Sequence, residues 1–430
     1  MMNKKAEISR GELDIVEETR KALDMINENN SKFNHYITIT RDLAIQQARE
    51  VSERAKKGEC GKLCGLLIAL KDVIYLTGFK TTASSKVLEN YYPSFDAKIV
   101  EILKKEGAII VGKTNTHEFA SGATNTSLAF GPTRNPSDPE LITGGSSGGS
   151  AVTVALNEVP IAIGTDTGGS VRIPASFCGV MGFKPTYGKI SRKGIIPLAW
   201  SFDTVGILGK EINHIREVFE VLSERDESDS VTLLPIKARK RYAKRIAVIK
   251  TEVDENVNKA FERALNKISR EYKLEEIVLP HLDEIIKVRF FITNAEMASY
   301  HKEMFYKYEK LYGNDVASSI RIGLSITASD YINALRARRV ILNSLMKTLK
   351  QYDFFLCPTT PILPPKISEV IGNESKYRPV LVRNTSIFNF TGNPAISIPL
   401  NNFVGLQVIG NIGDDMNLLK FSEDLLGLIK

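Results

Sequence analysis

Histidine and cysteine are scarce: five His and four Cys in 430 residues. So few imidazoles leave little for His-based acid–base chemistry, and a base of another kind has to be sought. Four Cys exclude a disulfide scaffold and fit a reducing compartment. There is no run of about 18 apolar residues, so no membrane-spanning helix and no membrane partner are expected. The opening MMNKKAEISRGELD is charged with no apolar core behind it. No secretory leader is expected from it, and the expected location is cytoplasmic. Neither sign of charge dominates. Fifty-seven Lys and Arg against fifty Asp and Glu give +7, which permits a nucleic-acid partner without arguing for one. Thirty Gly and seventeen Pro without a repeat exclude collagen-like and Pro-rich classes. What remains is an ordinary globular composition, 43% hydrophobic and 25% charged, long enough to bury a large core.

Along the chain the pattern alternates. Residues 10–58 read as helix, with Leu13, Val16, Ala22, Leu23 and Ile26 at helical spacing. Leu66–Leu70 is a short apolar run that reads as a buried strand, followed by Lys71. Ala97–Lys105 reads as helix and Ala108–Val111 as strand. Gly-rich, Ser-rich stretches then flank a second apolar segment at 151–164. Strand, helix and Gly-rich turn in alternation imply α/β architecture. Residues 211–350 read as a mostly helical, variable region, and 351–430 as a return to the core. One α/β domain over 1–430 is expected, with N-terminal helices over 1–60 and a core over 60–210 that holds the motifs read below. The basic stretch 237–245 holds six Lys or Arg in nine residues. It reads as a solvated linker into the strand Ile246–Ile249. An RNA-contacting patch is the competing reading, weakened by Tyr242 being its single aromatic.

Several short motifs mislead. Gly107–Thr114, GAIIVGKT, fits GxxxxGK[ST] letter for letter, but its middle residues Ala108, Ile109, Ile110 and Val111 are strand-like rather than a flexible phosphate cradle. Gly144–Gly148 fits the GxSxG elbow, which needs a later acid and then a His. The later His214, His281 and His301 lie in no loop-like context. A single Asp166-Thr167-Gly168 cannot supply the two carboxylates of an aspartic protease. Cys60 and Cys64 lack further ligands for zinc and read, like Cys178 and Cys357, as buried small hydrophobes. No metal site is expected.

Two Ser-Gly clusters stand out: TGGSSGGSA at 143–151 and GTDTGGSVR at 164–172. Gly-rich loops on either side of a buried element can offer free N–H groups around one point, as an oxyanion requires. A serine nucleophile also needs a base. Lys71 ends the strand-like apolar run, and burial there disfavours its ammonium. The competing reading is a solvated lysine paired with Asp72.

The segments GLLIALKD (65–72), GGSSGGSA (144–151), GTDTGGSVRIPASFCGVMGFKPTYG (164–188) and SFDTVGILG (201–209) together resemble the amidase signature family. A weaker likeness returns at CPTTP (357–361), RNTSIFNFTGNPAISIP (383–399) and GLQVIG (405–410). The resemblance implies a large twisted mixed β-sheet flanked by helices, with a mostly helical insertion. It implies a Ser–Ser–Lys triad acting on a small-molecule amide. Ser170 would be the nucleophile, Ser146 the bridging serine, held in a cis peptide, and Lys71 the base. Backbone N–H groups of Thr167, Gly168, Gly169 and Ser170 would hold the oxyanion. Ser147, Asp166 and Arg172 would brace the loops, and Gly122, Ala123 and Thr124 would face substrate. No cofactor is implied.

The family includes stand-alone amidases, expected as monomers or homodimers, and the glutaminase A subunit of tRNA-dependent amidotransferases. The latter works with B and C subunits and tRNA. It typically reads SSTENS where this chain has ATNTSL (123–128), and RQPAS where this chain has RIPAS (172–176). Its glutamine site resembles an Arg, matched here by Arg321, and an Asp whose position falls near Val382. Loss of that carboxylate removes the partner of a free amino acid's ammonium. These departures favour a stand-alone amidase.

Overall fold

The computed structural model describes residues 2–236, 245–401 and 403–429. All of the basic stretch 237–245 except Arg245 lies outside them, and both readings of it fall outside the described residues. Eleven described strands form one sheet. They are β1 Tyr36–Ile39, β2 Leu67–Lys71, β3 Ile109–Thr114, β4 Ile161–Asp166, β5 Met181–Lys184, β6 Thr204–Gly209, β7 Ile246–Ile249, β8 Leu274–Ile277, β9 Phe354–Pro358, β10 Ala395–Pro399 and β11 Gly405–Gly410. Their order is β1-β3-β2-β4-β6-β5-β10-β11-β9-β7-β8. β2 runs parallel to β3 and β4, whereas β4, β6, β5, β10, β11 and β9 pair antiparallel. The sheet is therefore mixed, as the α/β reading requires.

Every residue of β2, β3, β4, β6, β9 and β11 is buried. Helices cover both faces, which is why these strands are continuous apolar runs rather than alternating ones. On one side Ile68, Leu70 and Ile110 join the largest apolar cluster; on the other Leu67, Ala69 and Ile109 pack with the N-terminal helices.

Three sequence expectations change. The stretch 10–58 is not all helix: β1 separates the helices Ile15–Phe33 and Arg41–Lys56. Its YITI is aromatic and β-branched, and it pairs antiparallel with β3 at the sheet edge. The region 211–350 is mostly helical and carries, besides the strand expected at Ile246–Ile249, a second strand, β8. β7 and β8 extend the sheet beyond β9 in parallel, so this region completes the sheet. β8 escaped detection because its LEEI carries two exposed glutamates, which suit an outermost strand. Finally, Cys60 and Cys64 are joined by a disulfide, with Cα atoms 5.6 Å apart, a separation ordinary for such a bond. Cys178 and Cys357 are free and buried.

The Walker-like segment is strand. Lys113 is fully buried within β3 and its Nζ lies 2.8 Å from Asp72 Oδ1. That pairing also answers the alternative reading of Lys71, because the partner of Asp72 is Lys113.

Candidate active site

Parallel strands finish on the same side of a sheet, and open α/β sheets place ligands there. Leu70 of β2 is level with Ile163 of β4. Lys71 and the run Thr165–Asp166 therefore emerge side by side. The helix Gly148–Ala155 begins directly after the Ser146–Ser147 pair and packs over β2, β4 and β6.

Lys71 is completely buried, and its Nζ lies 2.7 Å from Ser146 Oγ and 2.8 Å from Thr165 Oγ1. Burial pushes the Lys71 amine from its ordinary 10.5 to about 7, against the opposing pull of Asp166 and Asp203. The Gly145–Ser146 peptide is cis. Thr116 Oγ1 donates to Ser146 O at 2.8 Å, and Gly145 N donates to Ala123 O at 2.8 Å. The loop Gly122–Thr124 thus lies against the bridging serine. Ser147 ties the two clusters together: its N–H donates to Ser170 O at 3.1 Å and its Oγ to Thr165 O at 3.2 Å. Gly164 permits this, since a Cβ there would meet Ser147 Oγ at 2.7 Å. No hydrogen bond joins Ser170 Oγ to Ser146 Oγ among the described residues.

The loop 166–172 is rigidly held. Arg172 and Asp166 are both fully buried and paired through two bonds, Nη2 to Oδ1 at 2.8 Å and Nε to Oδ2 at 3.1 Å. Burial alone would raise the Asp166 carboxyl, but the Arg172 guanidinium beside it holds it well below the usual carboxylate range. Arg172 also donates to Thr385 O, Gln407 Oε1 and Asn389 Oδ1, at 2.9, 2.6 and 2.7 Å. Gly169 N–H donates to Asp166 Oδ1 at 2.8 Å. That bond removes Gly169 from the free oxyanion donors expected from the sequence. Gly168 and Ser170 N–H groups donate to no described residue.

Arg321 does not reach this loop. It sits exposed on the helix Asn314–Ser325, paired with Glu309 at 2.6 Å and lying over the Phe305 ring. The arginine that does reach it is Arg289, whose Nη2 donates to Thr167 O at 2.9 Å. Sequence reasoning also missed Thr165, Thr385, Asn389 and Gln407. The last three fall within the weaker C-terminal likeness, a usable signal to which no role was attached. A cavity of about 320 Å³ opens beside the loop, with Thr165, Thr167, Trp200, Asp203 and Tyr300 in its wall. Asp203 accepts from Thr167 Oγ1 at 2.6 Å, and burial raises its carboxyl to about 6. No cluster of His, Cys, Asp and Glu able to hold a metal occurs among the described residues.

The mixed sheet thus presents a buried lysine beside paired serines on Gly-rich loops. The family model described as Amidase matches residues 17–419, and the chain belongs to that family. It is 37% identical to the A subunit of the glutamyl-tRNA(Gln) amidotransferase of Sulfolobus acidocaldarius, over 89% of this chain and 90% of that one. The crystal structure of an amidase superposes with a TM-score of 0.87 at 29% identity, covering 98% and 97% of the two chains. The A subunit of the glutamyl-tRNA(Gln) amidotransferase of Thermotoga maritima superposes with a TM-score of 0.80 at 32% identity, covering 94% and 90%. No described helix is long and apolar enough to cross a membrane.

Proposed function

We propose that this chain hydrolyses a carboxamide to a carboxylate and ammonia or an amine, with Ser170 as nucleophile, Ser146 as proton bridge and Lys71 as base. The observation that carries this reading is the fully buried Lys71 amine, 2.7 Å from Ser146 Oγ and lowered to about 7. Neutral Lys71 takes the Ser146 proton as Ser146 takes that of Ser170. Ser170 Oγ bonds to the amide carbon, and the oxyanion rests on the N–H groups of Thr167, Gly168 and Ser170. The C–N bond then breaks as the proton returns through Ser146 to the leaving nitrogen. Water adds to the acyl-serine, loses a proton to the same relay, and releases the carboxylate while Ser170 regains its hydroxyl. The Ser146–Ser170 contact tightens with substrate bound, as catalytic hydrogen bonds commonly do.

An amide panel that includes glutamine, read by ammonia release, tests this. Ser170→Ala and Lys71→Ala should each abolish turnover while leaving the fold intact. Normal turnover by Ser170→Ala would sink the assignment.

A second reading is the glutaminase A subunit of a tRNA-dependent amidotransferase. The observation favouring it is the 37% identity to one such protein over most of both chains. ATNTSL, RIPAS and Val382 keep the stand-alone amidase first. Purification separates the two: activity of the chain alone supports the first, and dependence on B and C subunits with tRNA supports the second.

A further inference from the structure

The cavity of about 320 Å³ beside the nucleophile loop opens on the side of the proton relay. Thr165 lies in its wall, and Thr165 Oγ1 is 2.8 Å from Lys71 Nζ, itself 2.7 Å from Ser146 Oγ. Thr167, on the far side of Asp166, lines the same wall. The relay ends at the leaving nitrogen, because Ser146 hands it the proton as the C–N bond breaks. The substituent on that nitrogen is therefore the part of an amide that this cavity is placed to receive.

Ile195, Ile196, Leu198, Trp200 and Tyr300 give the wall its apolar surface. The charged groups of the inner wall are already paired within the protein. Arg192 donates Nε and Nη2 to Asp229, each at 3.0 Å, and Nη1 to Trp200 O at 2.6 Å. Asp203 accepts from Thr167 Oγ1 and from the N–H groups of Leu198 and Ala199, at 2.6, 2.9 and 3.0 Å. Lys193 lies at the exposed rim. A group entering here gains mainly from apolar contact. Aromatic surface continues beside this segment. Tyr75 N–H donates to Gly194 O at 2.9 Å, and the Tyr75 ring meets those of Tyr91 and Phe95 at centroid distances of 5.7 and 5.5 Å.

A primary amide carries only hydrogen on its nitrogen and leaves this apolar wall to water. An apolar cavity of about 150 Å³ already holds a benzene ring. One of about 320 Å³ has room for a ring on a short alkyl link.

We infer that the substrate is a secondary amide whose nitrogen carries an apolar, ring-sized group, and that the chain releases an amine rather than ammonia. Ser170 Oγ bonds to the acyl carbon, the C–N bond breaks, and the Ser170 proton, passed through Ser146, leaves on the amine. Water then frees the carboxylate and restores the Ser170 hydroxyl. This inference rests on the amidase reading above, and it runs against the glutaminase reading, whose product is ammonia.

N-benzylpropanamide and N-methylpropanamide are to be compared with propanamide, with glutamine, and with 4-phenylbutanamide, which carries its ring on the acyl side. N-benzylpropanamide should exceed N-methylpropanamide and propanamide in kcat/KM by roughly 10- to 100-fold, the gain from burying one aromatic group. Ile195→Trp, which fills the cavity, should reverse that order. Trp200 is the single tryptophan of the chain, so its emission reports binding without turnover. In Ser170→Ala, N-benzylpropanamide should shift that emission saturably, and propanamide at the same concentrations should not. Propanamide, 4-phenylbutanamide or glutamine as the best substrate overturns the inference, and so does unmoved Trp200 emission. Fluorophosphonate labelling separates this failure from that of the triad. With Ser170 labelled, the triad stands and the inference alone falls, whereas no labelling at Ser170 overturns both.

Discussion

Lys71 Nζ and Ser146 Oγ are 2.7 Å apart, and neither side chain is exposed to solvent. An amine held there meets no bulk water to stabilise its charge. Burial is the dominant influence and brings Lys71 to about 7, with Asp166 and Asp203 pulling weakly the other way. The base form is the neutral one, so it gains population as pH rises. The kcat/KM of the wild type should therefore climb with pH, half-maximal near 7 and falling about tenfold per unit well below it. Lys71→Arg, charged at every accessible pH, should show no such limb and no activity up to pH 9. A flat wild-type profile between pH 5 and 8 would contradict the role of Lys71.

Ser146 and Ser170 both lie on Gly-rich loops, but their proposed roles differ. A fluorophosphonate should modify Ser170, located by mass spectrometry of the labelled peptide. Ser146→Ala should slow that labelling by two orders of magnitude or more, roughly the worth of general-base assistance, without moving its position. Label on Ser146 would instead revive the GxSxG elbow.

The Asp166–Arg172 pair is fully buried and holds the loop. Arg172→Met leaves the Asp166 carboxylate buried with Asn389, loop N–H groups and the charge of Lys184 as its remaining support. Breaking a buried pair from one side costs about 3–5 kcal/mol. Urea denaturation should show a midpoint lowered accordingly, with kcat reduced more than KM is raised. An unchanged midpoint would mean that Asn389, Lys184 and the N–H groups suffice.

How much of this was legible in the sequence depends on how local each signal was. β2 was readable because both its faces are buried, which makes Leu66–Leu70 a continuous apolar run ending at Lys71. The Asp166 and Arg172 partnership lies within six residues and could be guessed. Thr385, Asn389 and Gln407 meet Arg172 across more than 200 residues, and no periodicity reports such a contact. Arg289 sits on the long helix Leu282–Tyr308 among other charged residues, so only the fold distinguishes it from a solvated one. The Cys60–Cys64 spacing fits a disulfide and a pair of free thiols equally well until the Cα separation is known.

Lys113 gives a sharp check on the decoy motif. Its amine is buried against Asp72, and β3 has no loop in which to seat a phosphate. ATP with Mg²⁺ should leave the thermal midpoint of the protein unchanged, since a ligand stabilises only the state it binds. Lys113→Met should destabilise by about 3–5 kcal/mol, because Asp72 loses its counter-ion. A midpoint raised by ATP would reopen the nucleotide reading.

Gly169 combines two constraints that a double substitution can separate. Its φ of +134° is one that residues with a side chain rarely adopt, and a Cβ there would collide with Thr385 Oγ1. Thr385 Oγ1 in turn donates to Gly168 O at 2.6 Å, so the same hydroxyl both fills the space and pins the loop. Gly169→Ala should lower kcat sharply and cost about 1–3 kcal/mol of stability from backbone strain alone. Thr385→Ala removes the nearest collision partner, Oγ1, and with it the bond to Gly168, but leaves the residue-385 Cβ 2.7 Å and Ile173 Cδ1 2.8 Å from the added methyl. If the Oγ1 clash were the whole constraint, Gly169→Ala with Thr385→Ala would behave like Thr385→Ala by itself. Because the φ remains unfavourable, the double variant should recover only part of the loss, and the coupling energy from the double-mutant cycle measures that part. Full recovery would mean that the loop can relax to a φ open to alanine while Ser170 still functions.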